Sequence, residues 1–398
     1  MVRQTFDAIV IGAGVMGASI AYHLARAGAG RVAVVERRAV CSGNTRKSGA
    51  IVRMHYTNAH ETRLALASLP YFRRWPELVG GSCGFVQTGF LLLVGPENVE
   101  RLHRNVARLQ ALGVHTRAIG PEEIRAIQPS IDTTGVAAAA YEPESGHANP
   151  VMTTRALIER ACALGAEVFE DTPVAGIRTE GGRVVGIDTP HGPFDAPVVV
   201  CAANTWAPGL LRTAGVELPV TPRRAQVAFF RRPADFRDAH HVILDTTRAM
   251  YTRPNGADEI LGGASEVTGE SPTDPDDLTE TLDPTFPDVV RERVGSRIAA
   301  LTDVPFVRGH AGLYDMSPDT RAILDRAPGV DGLYVAAGFS GTGFKKAPAV
   351  GLALSELILT GAATSVDIAP FTLARFATDG HLHGEDEYEL PASWGHGF

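Results

Sequence analysis

Phe6-Asp7-Ala8-Ile9-Val10-Ile11-Gly12-Ala13-Gly14-Val15-Met16-Gly17 is the stretch that decides the fold. Phe6–Ile11 reads as a short buried strand that runs straight into three glycines at G-x-G-x-x-G spacing. Val15 and Met16 open a helix there, with apolar positions at Ile20, Leu24 and Ala27. Val32–Val35 reads as a second strand closed by Glu36. In a βαβ unit of this kind each glycine has its own duty. Gly12 allows the tight turn, Gly14 admits a pyrophosphate, and Gly17 lets helix and strand pack closely. Glu36 lies nineteen residues past Gly17, where a carboxylate would accept from a ribose hydroxyl. The motif alone says little; strand, motif, helix, strand and acid in that order point to a bound dinucleotide.

A second stretch completes the pattern near the other end of the chain. Leu333–Ala337 is an apolar strand that enters Gly338-Phe339-Ser340-Gly341-Thr342-Gly343-Phe344-Lys345, and an apolar helix follows over about 349–359. Gly338, Gly341 and Gly343 let backbone approach a flat ligand. The helix start offers unpaired N–H groups, and Lys345 adds a full charge. We read Gly338, Gly341, Thr342, Gly343, Phe344 and Lys345 as the floor of a flavin site and one wall of a substrate pocket. Lys346 is expected to face solvent.

The intervening chain supplies the other contacts. Arg37 follows Glu36, and the small polar run holding Ser42, Asn44, Thr45, Lys47 and Ser48 can follow a cofactor toward its reactive end. Arg53, between Val52 and Met54, needs a partner for its charge, either a ligand or a structural ion pair. The apolar run Val198–Cys201 predicts a central parallel strand ending near Ala203 and Trp206. Trp206 either packs on the cofactor edge or is a core residue. Val174 is placed beside the cofactor as well. His55 and His310 are candidate bases, with a packed histidine as the alternative reading of each. Arg223-Arg224 reads as a solvated or interdomain face. The Pro-, Asp- and Thr-rich run from Ser271 to Asp288 reads as a surface excursion.

Composition narrows the class. With 44% hydrophobic and 21% charged residues among 398, a large core is expected and general disorder is not. A net charge of −8 argues against a nucleic-acid binder. No apolar run reaches the length of a membrane span. Four cysteines without C-x-x-C or zinc spacing, and no signal-peptide pattern, lead us to expect a cytoplasmic protein without a metal site.

The fingerprint, Glu36, the Thr45–Tyr56 segment, Trp206, the Tyr314–Asp325 run and Gly338–Lys345 together resemble the D-amino-acid oxidase family of flavoproteins. Within it the resemblance is to the sarcosine oxidase, dimethylglycine dehydrogenase and proline dehydrogenase β-subunit branch. It implies an α/β fold: a discontinuous, Rossmann-like FAD domain joined to a substrate domain with an antiparallel sheet. The FAD domain would take residues 1–79, 149–216 and 311–378, the substrate domain 80–148 and 217–310, and a tail 379–398. It implies oxidation of a C–N bond in a small secondary or N-methyl amine or amino acid, with hydride passing to the flavin and oxygen or another acceptor taking the electrons. Arg53 and Lys345 match family positions that bind a substrate carboxylate, and Tyr314 matches a substrate-facing tyrosine.

Three departures qualify this. The position of the cysteine that attaches FAD in monomeric sarcosine oxidases is Gly312. Lys47 stands where dimethylglycine dehydrogenase has its attaching histidine. The flavin is therefore expected to be non-covalent. The lysine that activates oxygen in the oxidases aligns with Ile260, so sluggish oxygen use is expected unless Lys47 substitutes. Competing readings are 2-hydroxy-acid oxidation, a specialised biosynthetic amine oxidase, and a flavin-binding subunit or assembly factor of low activity. A homo-oligomer or a subunit of a flavoprotein complex fits the same branch.

Overall fold

The structure, a computed structural model, describes residues 4–264, 271–378 and 380–390. The tail beyond 390, part of the expected 379–398 segment, lies outside the described residues, as do 265–270 of the expected substrate domain.

Runs such as Ala8–Ile11, Val32–Val35 and Val199–Cys201 are apolar throughout and fully buried. Such strands suit a parallel sheet covered on both faces. They form the middle of a six-stranded sheet ordered 323–326, 333–337, 199–201, 8–11, 32–35, 167–169. All neighbours are parallel except the edge strand Ile323–Arg326. Helices Val15–Arg26, Pro150–Ala163 and Ala347–Thr360 contribute to the apolar cluster that includes Val10, Val34, Val200 and Ala336 of this sheet. The helix Pro150–Ala163 is fixed at its start by Asn149, whose side chain accepts from the N–H groups of Val151 and Met152.

The second large sheet has eight strands, ordered 306–316, 221–231, 259–264, 250–255, 242–245, 90–94, 138–142, 117–119. It is antiparallel except where Val242–Asp245 pairs in parallel with Phe90–Val94. Ile243, Ile260 and Phe230 on one face pack against Phe286, Val290 and Val294 of the helix Phe286–Arg297. The strand Phe306–Met316 spans the boundary expected at 311, carrying one sheet's edge to the glycine turn of the other, where Met316 bridges Phe339.

The run expected as a surface excursion is largely exposed over 271–283, and part of it also lines a cavity. The 271–283 run is a strap across a cavity, held to both sheets' surroundings by side-chain pairs described below. The described tail is ordered against the body: Arg101–Glu389, Arg104–Asp386 and Arg321–Glu387 ion pairs fasten it at 2.6, 2.5 and 2.9 Å. Among the described residues no helix is long and apolar enough to cross a membrane.

Candidate active site

The carboxyl ends of the parallel strands open onto one cavity of about 730 Å³. This is where ligands bind in open α/β sheets. The fingerprint loop is shaped by contacts that exclude larger residues. Gly12 has φ of +102°, and a Cβ there would sit 2.7 Å from the Ala202 carbonyl oxygen. A Cβ on Gly17 would sit 1.8 Å from the Gly12 oxygen, so Gly17 packs the helix onto the loop and does not line the cavity. Gly14, Val15 and Met16 line it. The Val15 amide donates to Thr45 Oγ1 at 3.1 Å, which fastens the 42–48 run to the helix start. Glu36 also lines the cavity, and its Oε2 accepts from the Ala13 amide at 2.9 Å, so the acid fixes the loop as well as facing the groove.

Further along, Ser42, Asn44, Thr45, Lys47, Ser48, Val174, Ala203 and Trp206 line the same cavity. Asn44 bridges three segments: its amide donates to Asn204 Oδ1 at 2.8 Å and its oxygen accepts from the Leu313 amide at 2.9 Å. Lys47 lies against Gly312, where a Cβ would come within 3.1 Å of its Cδ. Its ammonium pairs with Glu280 at 2.6 Å. Among the described residues, neither cysteine nor histidine lines the cavity.

The glycine turn supplies the wall opposite. Gly341, Thr342, Gly343, Phe344 and Lys345 line the cavity. Gly341 has φ of +81° and leaves room for Tyr314, whose ring a Cβ would meet at 3.0 Å. Gly338 does not line the cavity; its bare Cα lets Ser317 and Ile323 approach from behind. Arg53 is buried at the cavity wall. Its guanidinium lies 4.4 Å from the Tyr56 ring centroid and 5.8 Å from that of Phe90, and Nη1 donates to the His55 carbonyl. Lys345 Nζ lies 5.8 Å from the same Tyr56 ring. Burial, then Arg53, then Lys346 push the Lys345 ammonium well below the usual lysine value, while Glu61 opposes them.

Lys346 does not face solvent. It is fully buried, pairs with Glu61 at 2.6 Å and donates to Thr342 Oγ1 at 2.8 Å. Burial pushes its ammonium down to about 8, with Glu61 pulling the other way. Both lysines belong to the 3₁₀ turn Phe344–Lys346, and Lys346 Nζ lies 4.2 Å from the Tyr56 ring centroid that Lys345 approaches at 5.8 Å; what separates them is that Lys346 is neutralised by Glu61 while Lys345 lines the cavity.

Neither candidate base lies on the cavity. His55 is fully buried, its Nε2 is 2.8 Å from Tyr388 Oη of the tail, and burial holds it neutral with a pKa near 3. His310 Nε2 sits 3.1 Å from the Lys47 carbonyl oxygen, behind the lining. Ile260 lies in the core cluster with Phe286 and Val290 on the far face of its sheet. That position presents nothing to the cavity, because alternate residues of a strand face opposite ways. Arg224 is buried and paired with Asp283 at 2.8 Å; it lines the cavity, so it is not a solvated face.

Tyr251 escaped the sequence reading. Its phenol hydrogen-bonds Tyr314 at the cavity, and burial raises it well above the usual tyrosine value. Alternation could have found it: Met250 belongs to the core, which turns Tyr251 to the other face. Leu244 and Gln226, also at the cavity, come from two other strands of the same sheet.

The family model for FAD dependent oxidoreductases, DAO, matches residues 7–357. The chain belongs to this family. DAO-family relatives include the sarcosine oxidase subunit beta of Rhodobacter capsulatus, 26% identical over 385 residues, covering 94% of this chain and 89% of the relative. Human peroxisomal sarcosine oxidase is 29% identical over 402 residues, with 96% and 99% covered. Among solved structures, L-proline dehydrogenase from P. horikoshii superposes with a TM-score of 0.88 at 30% identity, covering 96% of this chain and all of that one. This DAO-family protein is an FAD-dependent oxidoreductase, and its cavity fits the cofactor. The glycine loop, the acid at the strand end and the 341–345 turn lie on one continuous lining. Gly12, Gly14, Thr45 and Glu36 would hold the nucleotide half, and the 341–345 turn would lie along the flavin.

Proposed function

We propose that the protein oxidises the C–N bond of a small secondary or N-methyl amine or amino acid that carries a carboxylate, giving an imine that water hydrolyses. The observation that carries this is that, of the three buried cations around the Tyr56 ring, Lys346 is paired with Glu61 while Arg53 and Lys345 line the cavity. Two buried like charges repel and are poorly solvated; an anionic ligand group offsets both costs. The names of the relatives support the amine half of the reading.

Bound FAD supplies the acceptor for the electron pair and proton leaving the substrate carbon. The chain's own residues bind and orient. Arg53 can grip the carboxylate with parallel N–H donors, Lys345 adds a point charge, and together they fix where the rest of the substrate lies. Tyr314 and Tyr251, hydrogen-bonded to each other, form an aromatic wall. A substrate amine close to these cations is held toward its neutral form, which is the form that can be oxidised.

The same proposal takes the flavin as non-covalent, supported by the Gly312 and Lys47 side of the cavity, where the described lining holds no cysteine or histidine. It divides the chain into FAD-binding segments 1–79, 149–216 and 311–378 and substrate segments 80–148 and 217–310. It places the protein in the cytoplasm, as a homo-oligomer or a flavoprotein-complex subunit, with an acceptor other than oxygen preferred. Titration of the yellow protein with a small carboxylic acid tests the clamp: a perturbed flavin spectrum in the wild type, lost in both Arg53→Ala and Lys345→Ala, is expected. A perturbation that survives in both variants would remove the clamp from the account.

A further inference from the structure

The strap at 271–283 has two unlike halves. Its C-terminal half is anchored in the large sheet. Buried Arg224 donates to the Thr281 carbonyl at 2.7 Å and to Asp283 at 2.8 Å. Gln226 and Asp283 exchange two hydrogen bonds, at 2.8 and 3.0 Å, and the Ala311 amide donates to the Glu280 carbonyl at 2.8 Å. Its N-terminal half reaches the dinucleotide side through side chains alone. Asp276 Oδ1 accepts from Arg37 Nη1 at 2.7 Å and from Trp206 Nε1 at 2.8 Å, and Glu280 accepts from Lys47 at 2.6 Å.

The sheet order gives these contacts a meaning. Arg37 follows the strand Val32–Val35 and Trp206 follows Val199–Cys201. The strand Ala8–Ile11, which feeds the glycine loop, lies between those two. Asp276 therefore joins the two elements that flank the loop, and Pro275, Asp276, Leu278 and Glu280 all line the cavity the loop opens onto. The bridge and the Gly12–Gly14 turn thus line the same cavity.

We propose that residues 275–280 belong to the cofactor site as a clasp: Asp276 and Glu280 close over bound FAD, and the dinucleotide enters and leaves only when they let go. The half-exposed Asp276–Arg37 pair is weak enough to open and is screened by salt, whereas the anchor at Arg224 is buried and stays. Opening is then local to the backbone of 275–278 and the side chain of Glu280, whose carbonyl stays held by the Ala311 amide.

The test is the rate at which holoenzyme releases FAD on dilution, followed by the fluorescence of the freed cofactor, for the wild type and for Asp276→Ala/Glu280→Ala. Release roughly tenfold faster in the double variant is expected, from the loss of the half-exposed Asp276–Arg37 pair, of the Glu280 pair with buried Lys47, and of the Trp206 hydrogen bond. The wild-type rate should also climb with sodium chloride more steeply than the variant's. Equal release rates, or equal salt slopes, in two proteins that both purify with full FAD would overturn the clasp. If the double variant does not fold, the single changes Asp276→Asn and Glu280→Gln carry the comparison: faster release in either supports the clasp, and a wild-type rate in both rejects it.

Discussion

The two ends of the cavity are built by different means. At the nucleotide end the backbone does most of the work: a turn at Gly12, a helix start at Val15, and one acid that both caps the Ala13 amide and faces the groove. At the substrate end side chains meet from distant parts of the chain. Arg53 and Tyr56 share one loop, while Tyr251, Tyr314 and Lys345 come from three other segments. Backbone-made sites leave a spacing in the sequence; side-chain-made sites leave single residues whose partners only the fold supplies. The consequences of mutation should divide along the same line.

The largest effect is expected at the nucleotide end. Gly17→Val puts carbon into space already held by the Gly12 oxygen, 1.8 Å from an added Cβ. Backbone cannot yield as a core side chain does, so the cost should exceed the roughly 1–3 kcal/mol of ordinary overpacking. Little soluble flavoprotein should be recovered, as read from the flavin absorbance per protein; a yellow, stable variant would break the comparison. Next comes Lys346→Met, which leaves Glu61 buried without its ion pair. A loss of about 3–5 kcal/mol in urea unfolding is expected, largely restored in Lys346→Met/Glu61→Leu. A variant with unchanged stability and only a raised KM would put Lys346 at the substrate instead.

Arg53→Ala and Lys345→Ala should change binding more than folding. A charge-assisted contact is worth about 1.5–3 kcal/mol, so each should raise KM on the order of tenfold or more. Because Lys345 sits well below the usual lysine value, its charge is present at low pH and is lost as pH rises through that lowered value. Wild-type KM for a carboxylate substrate should therefore climb with pH, and Lys345→Arg should flatten the climb. A KM independent of pH in the wild type would exclude a titrating clamp.

The smallest effect per residue is in acid. His23, His55, His147 and His240 are each held by burial to about 3, against an ordinary 6.5. Between those values the unfolded chain binds more protons than the folded one, so stability falls as pH drops below about 6.5. Urea midpoints at pH 7.5 and 5 check this, and an unchanged midpoint would contradict the burial of these rings.

Much of the nucleotide end was legible because its residues are neighbours in sequence. Strand, glycines, helix and Glu36 fall within about thirty residues, and the 338–345 turn reads the same way. The reading failed where a residue's surroundings come from elsewhere. Lys346 looked like a surface lysine until the helix Ala59–Arg73 brought Glu61 beneath it. His55 looked poised beside Arg53, but Tyr388 of the tail, more than three hundred residues on, claims its ring. The Asp- and Pro-rich run 271–283 is the largely exposed loop its composition suggests, but only Arg37, Trp206 and Lys47 reveal it as part of the cavity wall. Ile260 shows a related limit: aligned letters do not say which face of a strand a residue takes.

The account's central claim is that a carboxylate-bearing amine delivers its electrons to FAD at the Arg53–Lys345 wall. Anaerobic mixing of the yellow protein with matched N-methyl or secondary amino acids, their carboxamides and the corresponding 2-hydroxy acids tests it in one measurement, the loss of flavin absorbance. Bleaching by an amino acid, much slower bleaching by its carboxamide and none by the hydroxy acid is the predicted result. Bleaching by the hydroxy acid, or equal rates with acid and carboxamide, would contradict it.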